Sequence, residues 1–101
     1  MFDRKHGRYM TRAIDETMHA EIQMILWNLI DEQWEAEKEL DYLQIFELAE
    51  KHGEQHIVRK QEVPERRLKW IFTLKHATPI DKTIWCMDSE DYQMMLLPRD
   101  Y

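Results

Sequence analysis

Leu40-Asp41-Tyr42-Leu43-Gln44-Ile45-Phe46-Glu47-Leu48-Ala49-Glu50-Lys51 reads two ways. As a helix it sets Leu40, Leu43, Phe46 and Ala49 at i, i+3 spacing, and Gly53 stands where a C-cap belongs. As a strand it holds Tyr42, Leu43, Ile45, Phe46 and Leu48 in an apolar run, with His52-Gly53-Glu54 as the hairpin turn into His56 to Val63. Periodicity leaves the choice open, and on it hangs whether a second helix or another strand follows the first helix.

The flanking segments are clearer. Arg67 to Lys75 alternates strictly, with Leu68, Trp70, Phe72 and Leu74 on one face and Lys69, Thr73 and Lys75 on the other. His56 to Val63 stops at Pro64 and reads as a strand. Thr83 to Met87 and Tyr92 to Leu97 form a hairpin around the polar turn Asp88-Ser89-Glu90-Asp91. Upstream, Arg8 to Ile14 is short and β-leaning, which predicts an N-terminal strand, and residues 1–8 are a candidate disordered segment.

Met18 to Lys38 contains neither Gly nor Pro and places Met18, Ile22, Ile25, Leu26, Leu29, Ile30 and Ala36 in one arc at 100° per residue. That predicts a five-turn amphipathic helix, with Asp15 or Thr17 as its N-cap and Glu16 and Glu21 at the positive end of its dipole. A second apolar stripe, Ala20, Met24, Trp27 and Trp34, runs beside the first. It makes the helix more apolar than one sheet contact requires, and it is the candidate protein interface.

The 101 residues suffice for one domain and its single core. A net charge of −6 argues against a continuous basic surface, so direct nucleic-acid binding is not expected. The charge is uneven: +3 over residues 1–14, −10 over 15–54, +4 over 55–76 and −3 over 77–101. Two glycines, Gly7 and Gly53, exclude a phosphate-binding loop and a dinucleotide fingerprint. One cysteine, Cys86, excludes an internal disulfide and a Cys-rich zinc site, which fits a cytoplasmic protein. The chain shows no secretion signal or membrane span.

Candidate chemistry is thin. His52-Gly53-Glu54-Gln55-His56 superficially resembles the zinc-protease pattern, but its Glu is third instead of second and Gly53 interrupts the helix that pattern needs. Cys86 is followed by Asp88, Glu90 and Asp91, which oppose a thiolate. Ser89 has no histidine near it in sequence. Glu32, Glu35, Glu37, Glu39 and Asp41 read as the solvated back of the helix and the loop leaving it. The Asp88–Asp91 turn lacks the Gly and distal Glu of a calcium loop. Arg59, Lys60, Arg66, Arg67 and Lys69 surround Trp70, which is in phase with the core face, so pairing of Arg66 and Arg67 with the acidic helix is the better account than nucleic-acid stacking.

Four blocks in order carry a resemblance: Met10-Thr11-Arg12 through Leu26-Trp27-Asn28-Leu29-Ile30-Asp31, Leu40 to Leu48, Arg59-Lys60-Gln61-Glu62-Val63-Pro64, and Met95-Leu96-Leu97-Pro98 through Tyr101. From Tyr9 onward the chain resembles a small domain-of-unknown-function family of Firmicutes and their phages and mobile elements, first noted in staphylococci. The resemblance implies no activity, cofactor or site residue. It does imply that Asp41-Tyr42-Leu43-Gln44 opens the first strand of a meander.

The expectation is therefore one α+β domain over residues 1–101, a mainly antiparallel five- to six-stranded sheet with one long helix packed on one face. Its expected role is a non-enzymatic cytoplasmic interaction module, a homodimer or an adaptor, with no cofactor and no membrane. The alternatives are an acidic decoy for the basic groove of a nucleic-acid-binding protein and, more weakly, a small hydrolase or metal protein built on His52, His56 or Cys86.

Overall fold

The computed structural model describes residues 2–3, 6–37 and 39–101, and in it the ambiguous stretch is a strand. In chain order the elements are β1 (Gly7–Met10), α1 (Arg12–Thr17), α2 (Ala20–Glu37), β2 (Leu43–Lys51), β3 (Glu54–Gln61), β4 (Arg66–Phe72), β5 (Lys82–Asp88), β6 (Tyr92–Leu96) and a 3-10 turn at Pro98–Asp100. They build one mixed sheet in the order β1-β6-β5-β2-β3-β4, antiparallel except for the parallel β1–β6 pair.

The β2–β3 hairpin shows why the strand reading prevails. His52 (φ 54°) and Gly53 (φ 80°) both occupy the left-handed region, the geometry a two-residue hairpin loop needs to match strand twist. The Gly53 amide donates to the Glu50 carboxylate at 2.7 Å. With the loop fixed, Lys51 pairs Glu54 and the register runs back to Ile45 opposite Lys60. Gln44, Phe46 and Leu48 then share a buried face with Gln55, Ile57 and Arg59.

Helix α2 lies on that face. Its Ile22, Leu26, Leu29 and Ile30 join Phe46, Ile57, Ile84 and Met95 in the core, each fully buried side chain contributing about 1.5–3 kcal/mol. The helix begins later than the capping candidates suggest. Thr11 accepts from the Ile14 amide and starts α1, so the expected strand from Arg8 ends at Met10 and both Asp15 and Thr17 fall inside a separate short helix. His19 caps α2 instead, its Nδ1 accepting from the Glu21 amide at 2.9 Å. Lys38, at the expected C-terminal end, lies outside the described residues.

The segment expected to be disordered, residues 1–8, also has described parts. Phe2 is buried in the core and donates its amide to the Asp88 carboxylate, while the Asp3 carbonyl accepts from Gln93 Nε2 at 2.8 Å. Residues 1, 4 and 5 lie outside the described residues, and Gly7 and Arg8 open β1.

Residues 73–81 carry the chain from edge strand β4 across to β5. Glu21 grips this crossover, accepting from the backbone amides of Lys75 (2.7 Å), His76 (2.8 Å) and Ala77 (2.8 Å). These hydrogen bonds, led by Lys75, hold the Glu21 carboxyl at about 2. A depressed carboxylate pKa means the stabilisation is complete above the unfolded value of 4.5 and is lost as pH falls toward 2. Glu21→Gln is therefore expected to flatten the acid limb of the stability curve between those pH values and to speed hydrogen exchange at residues 75–77. An unchanged limb together with unchanged exchange would show that the crossover does not depend on this grip.

Candidate functional site

Because side chains alternate across a strand, the sheet has two faces of different fate. The inner face is covered by α2 and is unusually polar for a core, with Gln44, Gln55, Arg59, Gln61 and Gln93 all buried. Gln44 Nε2 donates to Gln61 Oε1 at 2.8 Å, Gln55 exchanges hydrogen bonds with the backbone of Ile80, Gln93 accepts from Arg8 Nε at 2.8 Å, and Arg59 meets Glu37.

The outer face carries the opposite composition. Tyr9 of β1 pairs Met94 of β6, Met94 pairs Met87 of β5, and Met87 pairs Leu43 of β2. One step along the strands, Leu96, Trp85 and Ile45 form a second row in register. Two apolar rows thus run side by side across the sheet, although both helices pack on its other side. At the β5–β6 end, Tyr101, 82% exposed, sets its ring edge-on to Trp85 with centroids 5.9 Å apart. Between Tyr101 and the strands lies a groove of about 420 Å³ lined by Met87, Tyr92, Met94 and Leu96, with Thr11 and Asp100 at its rim. The Leu97 amide, with the Thr11 hydroxyl at 2.9 Å, draws the Asp100 carboxyl below its usual value and anchors the C-terminal turn. Toward β4 the same face turns charged, and a second concavity of about 370 Å³ gathers Ile45, Lys60, Glu62, Glu65 and Arg67.

The helix stripe proposed from sequence is divided by the fold. Ala20 and Met24 are exposed, Met24 at 64%, whereas Trp27 and Trp34 are half-buried and pack against the core. Arg8 of β1 lays its guanidinium 4.7 Å from the Trp27 ring centre and forms a bidentate pair with Asp31 at 2.5 and 3.1 Å. Arg8 of the N-terminal strand thus covers part of the Trp27 ring, and Ala20 and Met24 stay exposed.

Three acids of α2, Glu21, Asp31 and Glu37, are engaged in similar fashion. Glu37 meets Arg59 at 3.4 Å and Arg66 at 3.3 Å, while Asp31 holds Arg8 and Glu21 holds the crossover. The pairing expected between the basic block and the helix is present for Arg66; Arg67 instead faces the opposite side, beside Lys60. Burial lowers the Arg59 pKa, opposed by Glu37.

Other sequence candidates are placed apart from one another. Cys86 is fully buried in β5, and burial pushes its thiol far up. His52 sits in the hairpin turn and His56 on β3, so no helical turn aligns them. The Ser89 hydroxyl donates to the Tyr92 carbonyl at 3.0 Å. Asp88 is buried and accepts from the amides of Phe2 and Glu90. Among the described residues no three His, Cys, Asp or Glu side chains gather as a metal site, and no helix is long and apolar enough to cross a membrane.

The outer face escaped the sequence reading because apolar residues occupy both parities of β5 and β6. Ile84–Met87 and Met94–Leu97 are unbroken apolar runs, which signal burial on both faces without saying what covers the second.

The same fold is found in a crystal structure of a protein of unknown function from Enterococcus faecalis, with a TM-score of 0.88, 20% sequence identity, and coverage of 99% of this chain and 94% of that one. No curated protein matches the chain. A family model described as staphylococcal protein of unknown function, DUF960, matches residues 7–100, from the first residue of β1 to the end of the C-terminal turn. The six-stranded sheet and the four sequence blocks, except the final Tyr101, fall within that span, and the chain belongs to the DUF960 family.

Proposed function

We propose that this protein is a non-enzymatic interaction module of the cytoplasm that docks other protein surface through the outer face of its sheet. The observation that carries this reading is the pair of apolar rows across β1, β6, β5 and β2, in which Tyr9 is exposed, Leu43, Ile45, Trp85, Met87 and Met94 are half-buried and Leu96 is buried, and over which neither helix packs. Contiguous Met, Tyr and Trp surface of this kind is typical of protein contacts, where these side chains are enriched and bury large apolar area. Met24 and Ala20 on α2 are the smaller alternative surface, since Trp27 and Trp34 pack against the core. A non-catalytic role is supported by the engagement of the potential acids and nucleophiles in structure: Cys86 in the core, Asp88 on the N-terminal arm, and Glu21, Asp31 and Glu37 on internal partners.

The test is site-specific photocrosslinking in native cells, with benzoylphenylalanine in place of Tyr92 in one variant and of Met24 in another. Covalent protein adducts are expected from position 92 and not from position 24. Adducts from position 24 alone, or from neither, would overturn the assignment to the sheet.

A further inference from the structure

We infer that the partner on the outer face is a second copy of this chain, related by a two-fold axis that runs across the strands between the two apolar rows. This inference rests on the proposed docking role of that face and specifies its occupant. Charge complementarity points to this occupant. The first row, Tyr9, Met94, Met87 and Leu43, continues beyond β2 toward Glu62, two residues past Lys60 on β3, and Glu65 lies beside it in the same concavity. The second row, Leu96, Trp85 and Ile45, continues through Lys60 to Arg67. One row thus ends in two carboxylates, Glu62 and Glu65, and the other in two cations, Arg67 and Lys60, the latter also paired with Glu47 of its own chain at 3.0 Å; Arg66 lines the same concavity but pairs with Glu37.

A symmetric dimer uses the same patch twice, so the position of its axis decides what faces what. An axis along the first row sets Glu62 and Glu65 against their own copies. An axis along the second sets Lys60 and Arg67 against theirs. An axis between the rows brings the first row of each protomer over the second row of the other: Met87 meets Trp85, Leu43 meets Ile45, and the carboxylates meet Lys60 and Arg67, while Met94 comes over Leu96, which its own chain leaves only 5% exposed. Only that placement satisfies the apolar and the charged parts together, and two sheets packed in this way are an ordinary sandwich. It also carries Tyr101, which stands beside Trp85 on the second row, toward the partner's groove of about 420 Å³ over Met87 and Met94. The charged ends specify this register, since like charges brought together across an interface oppose association strongly.

Two charge-reversed proteins test the inference by sedimentation. Lys60→Glu with Arg67→Glu turns both row ends acidic, and Glu62→Lys with Glu65→Lys turns both row ends basic. The unsubstituted protein is expected to dimerise, each reversed protein to dimerise at least about 100-fold more weakly, and an equimolar mixture of the two to regain dimer. Circular dichroism of each reversed protein checks that it is folded, and recovery in the mixture shows that both surfaces remain intact. An unsubstituted protein that stays monomeric at 100 µM, reversed proteins that dimerise as tightly as the parent, or a mixture that does not recover would each overturn the inference. The docking role is tested separately: adducts from position 92 to a different protein would keep that role and reject the second copy, whereas no adduct there would reject both.

Discussion

Glu37→Leu is expected to destabilise the fold by about 3–5 kcal/mol, far more than loss of a surface ion pair. The Arg59 side chain is fully buried under the C-terminal part of α2, and Glu37 is the carboxylate that faces it, with Oε2 3.4 Å from both terminal guanidinium nitrogens. Removing that carboxylate leaves a cation without its counter-charge where water cannot readily replace it. Arg59→Met should cost much less, because it removes the buried charge itself and leaves Glu37 with Arg66 at 3.3 Å. The double substitution should recover most of the loss, since a hydrophobic replacement of a buried pair is often neutral or stabilising. Urea denaturation of the four proteins measures this as a double-mutant cycle with a coupling of about 2–3 kcal/mol. If Glu37→Leu alone lies within about 1 kcal/mol of the parent, hydration of Arg59 is sufficient and the pair does not hold α2 to β3.

This pair marks where the sequence is legible and where it is not. α2 and the strands follow from period: Ile22, Leu26, Leu29 and Ile30 repeat at helical spacing, and β4 alternates from Leu68 to Phe72. What the pattern conceals is the identity of the covered face. On β3 the inward residues are Gln55, Ile57, Arg59 and Gln61, three of them polar, while Val58 points outward, so hydrophobicity names the wrong side for much of that strand. The glutamines are stable inside because each finds a hydrogen-bond partner contributed by another segment, such as Gln61 for Gln44 and the Ile80 backbone for Gln55. Long-range partners of that kind leave no local signature. The same applies to Trp27: its apolar surface is visible in sequence, but the Arg8 guanidinium that covers it comes from a strand placed by parallel pairing with the far end of the chain. The −10 and +4 blocks do meet in the fold, through Glu37 with Arg59 and Arg66.

Phe2→Ala is expected to cost about 3–5 kcal/mol, as much as truncating an aromatic ring in the middle of a central strand. A substitution this near a terminus is ordinarily close to neutral, because terminal residues fray. Here the ring is fully buried in the core, and its backbone is tied on both sides: the Phe2 amide donates to Asp88, and the next carbonyl accepts from buried Gln93. Phe2 also has φ of 64°, a left-handed conformation that costs a side-chain-bearing residue roughly 1–2 kcal/mol, so burial of the ring must exceed that strain. Alanine keeps the strain and loses the ring. Glycine loses the ring but removes the strain, so Phe2→Gly should be less damaging than Phe2→Ala by about 1 kcal/mol, the reverse of their order in a strand or helix interior. Thermal unfolding can read both effects, since a domain of this size shifts roughly 4–8 °C per kcal/mol. An alanine variant within about 1 kcal/mol of the parent would place the ring outside the core, and glycine falling below alanine would show that the left-handed turn at Phe2 carries no strain to relieve.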